Sequence, residues 1–319
     1  MLTIRFVAAI IAAGAVFAGA GTAAGQAYPN RTIRIVTSSP GGGSDFTSRL
    51  IAQGISGPMG QPVIVENRGG IIPVETVAKA PPDGYTVLLS ASMWVAPLFQ
   101  PDLPYDPIRD FSPITLAVST PNILVVHPSL PIHSVKDLIA LAKSRPGELD
   151  YATGTTGSAS HVAAEKFKSM AAIKMVRIPY KNAGPAITAL IGGHVQLMFA
   201  TAGSVTPHIK SGRLKALAST SPKPSALLPG MPTIAASGLP GYDANTLFGL
   251  FAPAKTPGEI INRLNQEMVR FLGRPETNEK LLSVGVEAEA STPEQWAAMV
   301  KSEIAALGKI VKDAGLRAD

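Results

Sequence analysis

Twice in this chain a run of β-formers breaks into a loop of glycines and hydroxyl residues and then into a helical pattern. The first run is Ile33 to Thr37. It leads through Ser38, Ser39, Pro40 and three glycines, with Ser44 or Asp45 placed to cap a helix whose apolar side is Phe46, Leu50 and Ile51. The second run is Leu149 to Thr153. It leads through Gly154-Thr-Thr-Gly-Ser158 and Ser160 into a helix reaching about Met170. Alternating strands and helices of this kind demand a sheet covered by helices, an α/β fold. The loops also carry chemistry. Glycines leave backbone N–H groups uncovered, and a helix start adds free donors and the positive end of its dipole. Each loop therefore reads as an anion cradle that needs no charged side chain.

The alternation continues along the chain. Strands are expected over Gln61–Glu66, Tyr85–Ser90, Ile114–Val118, Asn122–His127, Met175–Pro179, Val195–Ala200, Leu214–Ser219 and Thr246–Pro253. Helices are expected over 73–80, over Val135–Ser144 behind a Ser134 cap, from Pro185 to Gly192, over Pro257–Leu272 and over Pro293–Ala314. In the last, Trp296, Val300, Ile304, Leu307 and Val311 keep a helical spacing that fits core packing. Residues 91–113, which hold Trp94, read as irregular; 221–241 read as connective; Thr201 to Ser204 reads as another small polar loop.

Residues 1–27 read as a secretory leader rather than as fold. Arg5 gives a short positive region, Val7 to Ala20 is apolar but too short to span a bilayer, and small residues follow up to Ala27. The sequence holds no cysteine, so disulfides, thiol chemistry and a lipid anchor on cysteine are excluded. The rest of the 319 residues suffices for one large or two ordinary domains. The net charge of +6 is scattered, which suits anionic ligands weakly and gives no nucleic-acid stripe. Histidines 127, 133, 161, 194 and 208 have no metal spacing and read as surface or hinge residues; no metal or cofactor is expected. No GxSxG elbow, GxxxxGK[ST] loop or complete GxGxxG supports an enzyme.

Motifs along the whole mature chain resemble one family. They are Tyr28-Pro29, Pro40-Gly-Gly-Gly-Ser-Asp45 with Arg49, Val65-Glu-Asn-Arg68, Pro82-Asp-Gly-Tyr-Thr86, Asp110-Phe111 and Tyr151-Ala-Thr-Gly154 with Gly157-Ser158. Further along come Ile178-Pro-Tyr-Lys181, Gly192-Gly193, Gly212 to Ala218, Met231-Pro-Thr233 and Phe251-Ala-Pro253. In this order and spacing they resemble the solute receptors of the tripartite tricarboxylate transporters, the Bug or TctC-type receptors. The resemblance implies a two-lobed α/β periplasmic binding protein of the type II, Venus-flytrap kind, with two crossings between lobes, near 120–127 and 244–250. Lobe one would be 28–121 with 248–319, and lobe two 122–247. It further implies a monomeric periplasmic protein that hands a small organic carboxylate to a membrane permease. A sensor partner of a signalling system would share the same fold.

If both glycine loops face the cleft between lobes, each can hold a carboxylate, and binding becomes closure. The candidate ligand contacts are Ser39, Gly41, Gly42, Gly43, Ser44 and Asp45 of the first loop, Gly70 and Ile71 of the next turn, and Trp94. On the other side they are Thr153, Thr155, Thr156, Gly157 and Ser158, then Lys181, Asn182 and Ala202. Asp45 reads as a cap more than a ligand for an ammonium, and Trp94 as core or cleft wall. Members of the family usually continue Asn-Arg with Pro-Gly-Ala-Gly-Gly, whereas this chain has Gly69-Gly-Ile-Ile-Pro73. Asn182 and Gln196 also depart from the family's Gly and Asp. With Trp94 and Phe46, these changes point toward an aromatic or aliphatic carboxylate over aspartate or citrate.

Overall fold

The computed structural model describes residues 28–40 and 43–313, so residues 1–27, where a leader is expected, Gly41, Gly42 and residues 314–319 lie outside the described residues. In chain order the elements begin with β1 (Ile33–Thr37), α1 (Gly43–Met59), β2 (Val63–Asn67), α2 (Ile72–Ala78), β3 (Thr86–Ser90), α3 (Ala96–Phe99) and β4 (Phe111–Thr120). Next come β5 (Asn122–Val126), α4 (Val135–Ser144), β6 (Asp150–Thr153), α5 (Ala159–Ala171), β7 (Val176–Pro179), α6 (Ala183–Ile191), β8 (Leu197–Thr201), α7 (Ala202–Lys210) and β9 (Lys215–Ser219). The chain closes with β10 (Thr246–Pro253), α8 (Gly258–Leu272), α9 (Pro275–Ser283), β11 (Glu287–Ala288) and α10 (Pro293–Asp313).

These strands form two sheets. The first has order β11-β4-β10-β3-β1-β2, and the second β7-β6-β8-β5-β9. Strands β2, β1 and β3 run parallel, while β10 is antiparallel to both β3 and β4. The second sheet repeats the scheme: β7, β6 and β8 run parallel, and β5 is antiparallel to β8 and β9. Apolar residues fill both faces of each sheet. Ile51, Ile55, Leu264 and Met268 cover one face of the first, and Trp94, Phe99, Trp296 and Val300 the other. On the second sheet, Leu138, Phe167 and Tyr242 cover one face, and Leu190, Val205 and Leu214 the other. Helices on both faces of a largely parallel sheet explain why the central strands read as continuous apolar runs.

The chain passes between the sheets twice. Pro121 alone separates β4 of the first sheet from β5 of the second, and residues 220–245 return from β9 to β10. The two passages are tied to each other. The Asn122 backbone N–H donates to Thr220 Oγ1 at 2.8 Å, Thr220 N–H to the Asn122 carbonyl at 2.9 Å, and Ala244 N–H to the Thr220 carbonyl at 3.0 Å. The arrangement is the two-lobed α/β architecture.

Three local expectations are corrected. Thr201 to Ser204 is not a loop, because Ala202 opens α7 directly from β8. The α9 helix and the two-residue strand β11 went unforeseen; α9 carries a charged, weakly amphipathic sequence that resembles a surface connection. Asp45 is not a cap: the helix begins at Gly43, and Asp45 sits in its first turn, where Arg49 pairs with it at 2.9 Å and the Asn67 amide donates to it at 2.9 Å.

Candidate functional site

The second glycine loop occupies the space between lobes and is the wall shared by two cavities. A cavity of about 310 Å³ is lined by Trp94, Phe99 and Leu307 of lobe one and by Thr155, Thr156, Gly157 and Ser158 of lobe two. A second, of about 280 Å³, lies over the ends of β6, β7 and β8, lined by Thr155, Ser158, Lys181, Asn182 and Thr201. Ligands in sheets of this kind sit beyond the carboxyl ends of the parallel strands, which is where the second cavity lies.

The loop's shape follows from its hydrogen bonds. Gly157 has φ +77°, a conformation that side chains disfavour. That turn sends the Gly157 N–H to His161 Nδ1 at 3.1 Å and the Ser158 N–H to the Thr155 carbonyl at 3.0 Å. Gly154 N–H donates to Ser160 Oγ at 3.0 Å. Ser158 takes the cap position of α5, but its hydroxyl makes no cap bond and pairs with Ser160 instead. Asn182 does cap α6, its side-chain oxygen accepting from Gly184 N–H at 3.1 Å. Two helix starts thus converge on the second cavity, with the exposed Lys181 between them.

Arg177 on β7 lies beneath this loop and was not singled out from sequence. Its Nε donates to Thr153 Oγ1 at 2.9 Å, both terminal nitrogens reach Thr156 Oγ1 at 3.2 Å, and one reaches the Gly154 carbonyl at 3.4 Å. A half-buried guanidinium is therefore held by hydroxyls and a carbonyl. Thr153 is wholly buried and spent on this bond, so it supports the loop and does not line either cavity. A lone Arg in a four-residue strand gives no local signal; only the pairing of β7 with β6 brings it under the loop.

His161 corrects another reading. It is neither surface nor hinge but 0% exposed, with its ring 5.3 Å from that of Phe99 in lobe one. Burial, with Arg177 and Lys168 nearby, lowers its pKa to about 3, so the ring is neutral and Nδ1 can accept from Gly157. Below it, Lys168 Nζ bridges both oxygens of buried Glu165 at 2.8 and 2.9 Å, and the Tyr151 hydroxyl donates to Glu165. Burial and the Glu165 carboxylate raise the Tyr151 pKa. The loop rests on a buried network in which only His161 Nε2, 3.9 Å from Glu165, lacks a hydrogen-bond partner.

The larger cavity ends in charge. Lys166 of α5, Asp243 of the second passage and Glu303 of α10 all line it. Burial raises the pKa of Asp243, and burial together with Asp243 raises that of Glu303; Lys166 opposes both shifts.

The first glycine loop is placed differently. Neither cavity is lined by Ser39, Gly43, Ser44, Asp45, Gly70 or Ile71, and Gly41 and Gly42 lie outside the described residues. A Cβ at Gly43 would sit 3.0 Å from the Phe248 ring, so this glycine admits core packing. Trp94 is 2% exposed and stacks edge-on with Trp296, so it is a core residue whose edge reaches the larger cavity. Ala202 is buried beneath the second cavity's rim at the start of α7 and does not line it. Among the described residues no group of His, Cys, Asp or Glu side chains is placed to hold a metal, and no helix is long and apolar enough to cross a membrane.

Comparison with known proteins agrees with this architecture. The family model of the tripartite tricarboxylate transporter family receptor matches residues 47–316. Protein BugT of Bordetella pertussis is 36% identical over 316 residues, covering 95% of this chain and 96% of its own. A protein of R. palustris solved with adipate is 36% identical with a TM-score of 0.76, covering 90% of this chain and 98% of that one. MatC of Rhodopseudomonas palustris, solved with bound malate, is 28% identical with a TM-score of 0.72, covering 89% of this chain and 100% of that one. The match runs through the two-lobed core and the loop between the cavities alike, and the chain belongs to the receptors of the tripartite tricarboxylate transporter family.

Proposed function

We propose that this chain is a periplasmic receptor that captures a small organic carboxylate between its lobes and presents it to a membrane permease. The observation that carries this reading is the cationic setting of the second loop. Arg177 lies under it, Lys181 lies beside it, and the starts of α5 and α6 converge on the same cavity. A carboxylate placed there meets Lys181 and the donors of two helix starts, while Arg177 supports the loop from beneath; charge-assisted bonds contribute about 1.5–3 kcal/mol each. Relatives solved with adipate and malate support the ligand class. Lobe one would be 28–121 with 248–319 and lobe two 122–247, and the leader over 1–27 would direct export.

The test is calorimetric titration with adipate, malate, succinate and phenylacetate, followed by small-angle scattering. One-to-one binding with compaction on saturation is expected, and Arg177→Gln should weaken it about tenfold or more while the fold persists. Absence of heat with every carboxylate, or turnover of the bound one, would overturn the reading.

A further inference from the structure

Asn122 stands where the first passage between lobes, the second passage and the smaller cavity meet. It is 1% exposed, begins β5 directly after Pro121, and lines the cavity that also holds Lys181 and Asn182. Its amide orientation is fixed by chemistry. The Ala244 carbonyl, 3.1 Å away, can only accept, so the group facing it is the nitrogen, which also lies 3.5 Å from Thr246 Oγ1. The nitrogen is thereby committed to the second passage. Among the described residues no group donates to the amide oxygen, which is turned the other way. An acceptor at a ligand cavity selects what can donate to it, because a ligand that displaces its water without donating loses that hydrogen bond.

We propose that Asn122 is a specificity-determining residue of the cleft: its amide oxygen favours carboxylates that carry a hydroxyl or ammonium donor beside the carboxylate. The inference rests on the carboxylate-receptor reading. The anion itself cannot satisfy Asn122, because a carboxylate offers only acceptors. Lys181 and the two helix starts hold the carboxylate, and the donor beside it completes Asn122. Because the same amide holds the two passages together, a ligand that satisfies its oxygen also stiffens the junction through which the lobes move.

The experiment is titration calorimetry with matched pairs that differ only in the donor: malate and aspartate against succinate, lactate against propionate, and mandelate against phenylacetate. In wild-type protein the donor-bearing member of a bound pair is expected to be tighter by about tenfold or more. In Asn122→Ala that ratio should fall to about one, chiefly through weaker binding of the donor-bearing acid. Thr220→Val, which removes the hydroxyl that accepts from the Asn122 backbone, loosens the same junction and should leave the ratio in place. Asn122→Asp keeps the size and an acceptor, and should raise the aspartate-to-malate preference. Equal affinities within every bound pair of the wild type overturn the proposal and leave the receptor reading intact. A ratio that survives in Asn122→Ala does the same. Failure of every carboxylate to bind overturns both.

Discussion

Gly157 carries two constraints at one position. Its φ of +77° strains any side chain, and a Cβ there would lie 3.2 Å from the Phe99 ring, which belongs to the other lobe. Gly43 differs, since its Cβ would press only on Phe248 within lobe one. Replacing either by Val therefore has separable effects. Gly157→Val should lower carboxylate affinity by more than tenfold in calorimetry, because the clash falls where the lobes touch, while the melting temperature drops by only a few degrees. Gly43→Val should show the reverse weighting, mainly a lower denaturation midpoint. If both variants lose affinity equally at unchanged stability, the first loop touches ligand as closely as the second. At this scale the second loop was readable, because strand, Gly/Ser/Thr loop and helix start are adjacent in sequence. Arg177, His161 and Asn122 were not, since their meaning comes from β7 lying beside β6, from Phe99 reaching across the lobes, and from the junction at Thr220 and Ala244.

Helix α1 shows how an element is tuned to its neighbour. Gly54 faces α8, where a Cβ would stand 2.0 Å from Phe271, whereas Gly57, three residues on, has nothing within 4 Å. The first glycine permits close packing of two helices; the second only loosens one. Gly54→Ala is expected to destabilise by about 1–3 kcal/mol through overpacking. Gly57→Ala should stabilise by about 0.5–1 kcal/mol, since alanine is the better helix former. Urea unfolding of the two variants checks both signs at once. Periodicity located this helix and most others within a few residues, because the apolar stripe is local. It could not distinguish the two glycines, whose difference lies in a helix some two hundred positions away in the chain. The same limit hid the start of α7: Thr201 to Ser204 has the composition of a loop, and only its attachment to β8 makes it helical.

For the molecule as a whole, the charged end of the larger cavity makes stability depend on pH. Glu303 on α10 and Asp243 on the second passage both have raised pKa values, chiefly through burial. For an acid so shifted, ionisation opposes the native state. The penalty is present above the raised pKa and is relieved as pH falls through it toward the ordinary carboxylate range. His161 acts in the opposite sense, since its pKa of about 3 means that stability is lost as pH falls from about 6.5, the unfolded histidine value. The two effects therefore oppose each other on the acid side of neutrality. Glu303→Gln should raise the melting temperature at pH 7.5 by about 1–2 °C and remove the stability that the wild type gains as pH falls through the raised Glu303 pKa toward the ordinary carboxylate range. A melting profile identical to the wild type would show that this carboxyl is fully solvated. The two-lobed plan itself was legible only through the ordered motifs of the family, because no local pattern says that β10 returns to lie between β3 and β4.

That return of β10 fixes an order of assembly. Every strand of the second sheet lies between Asn122 and Ser219, so lobe two can close on itself from one unbroken stretch of chain. Lobe one cannot, because β3 and β4 have no ladder between them until residues 246–253 arrive. Contacts of short sequence separation form first. Lobe two is therefore expected to gain amide protection first in a refolding hydrogen-exchange experiment, with lobe one completed once β10 enters between β3 and β4 as the keystone of the first sheet.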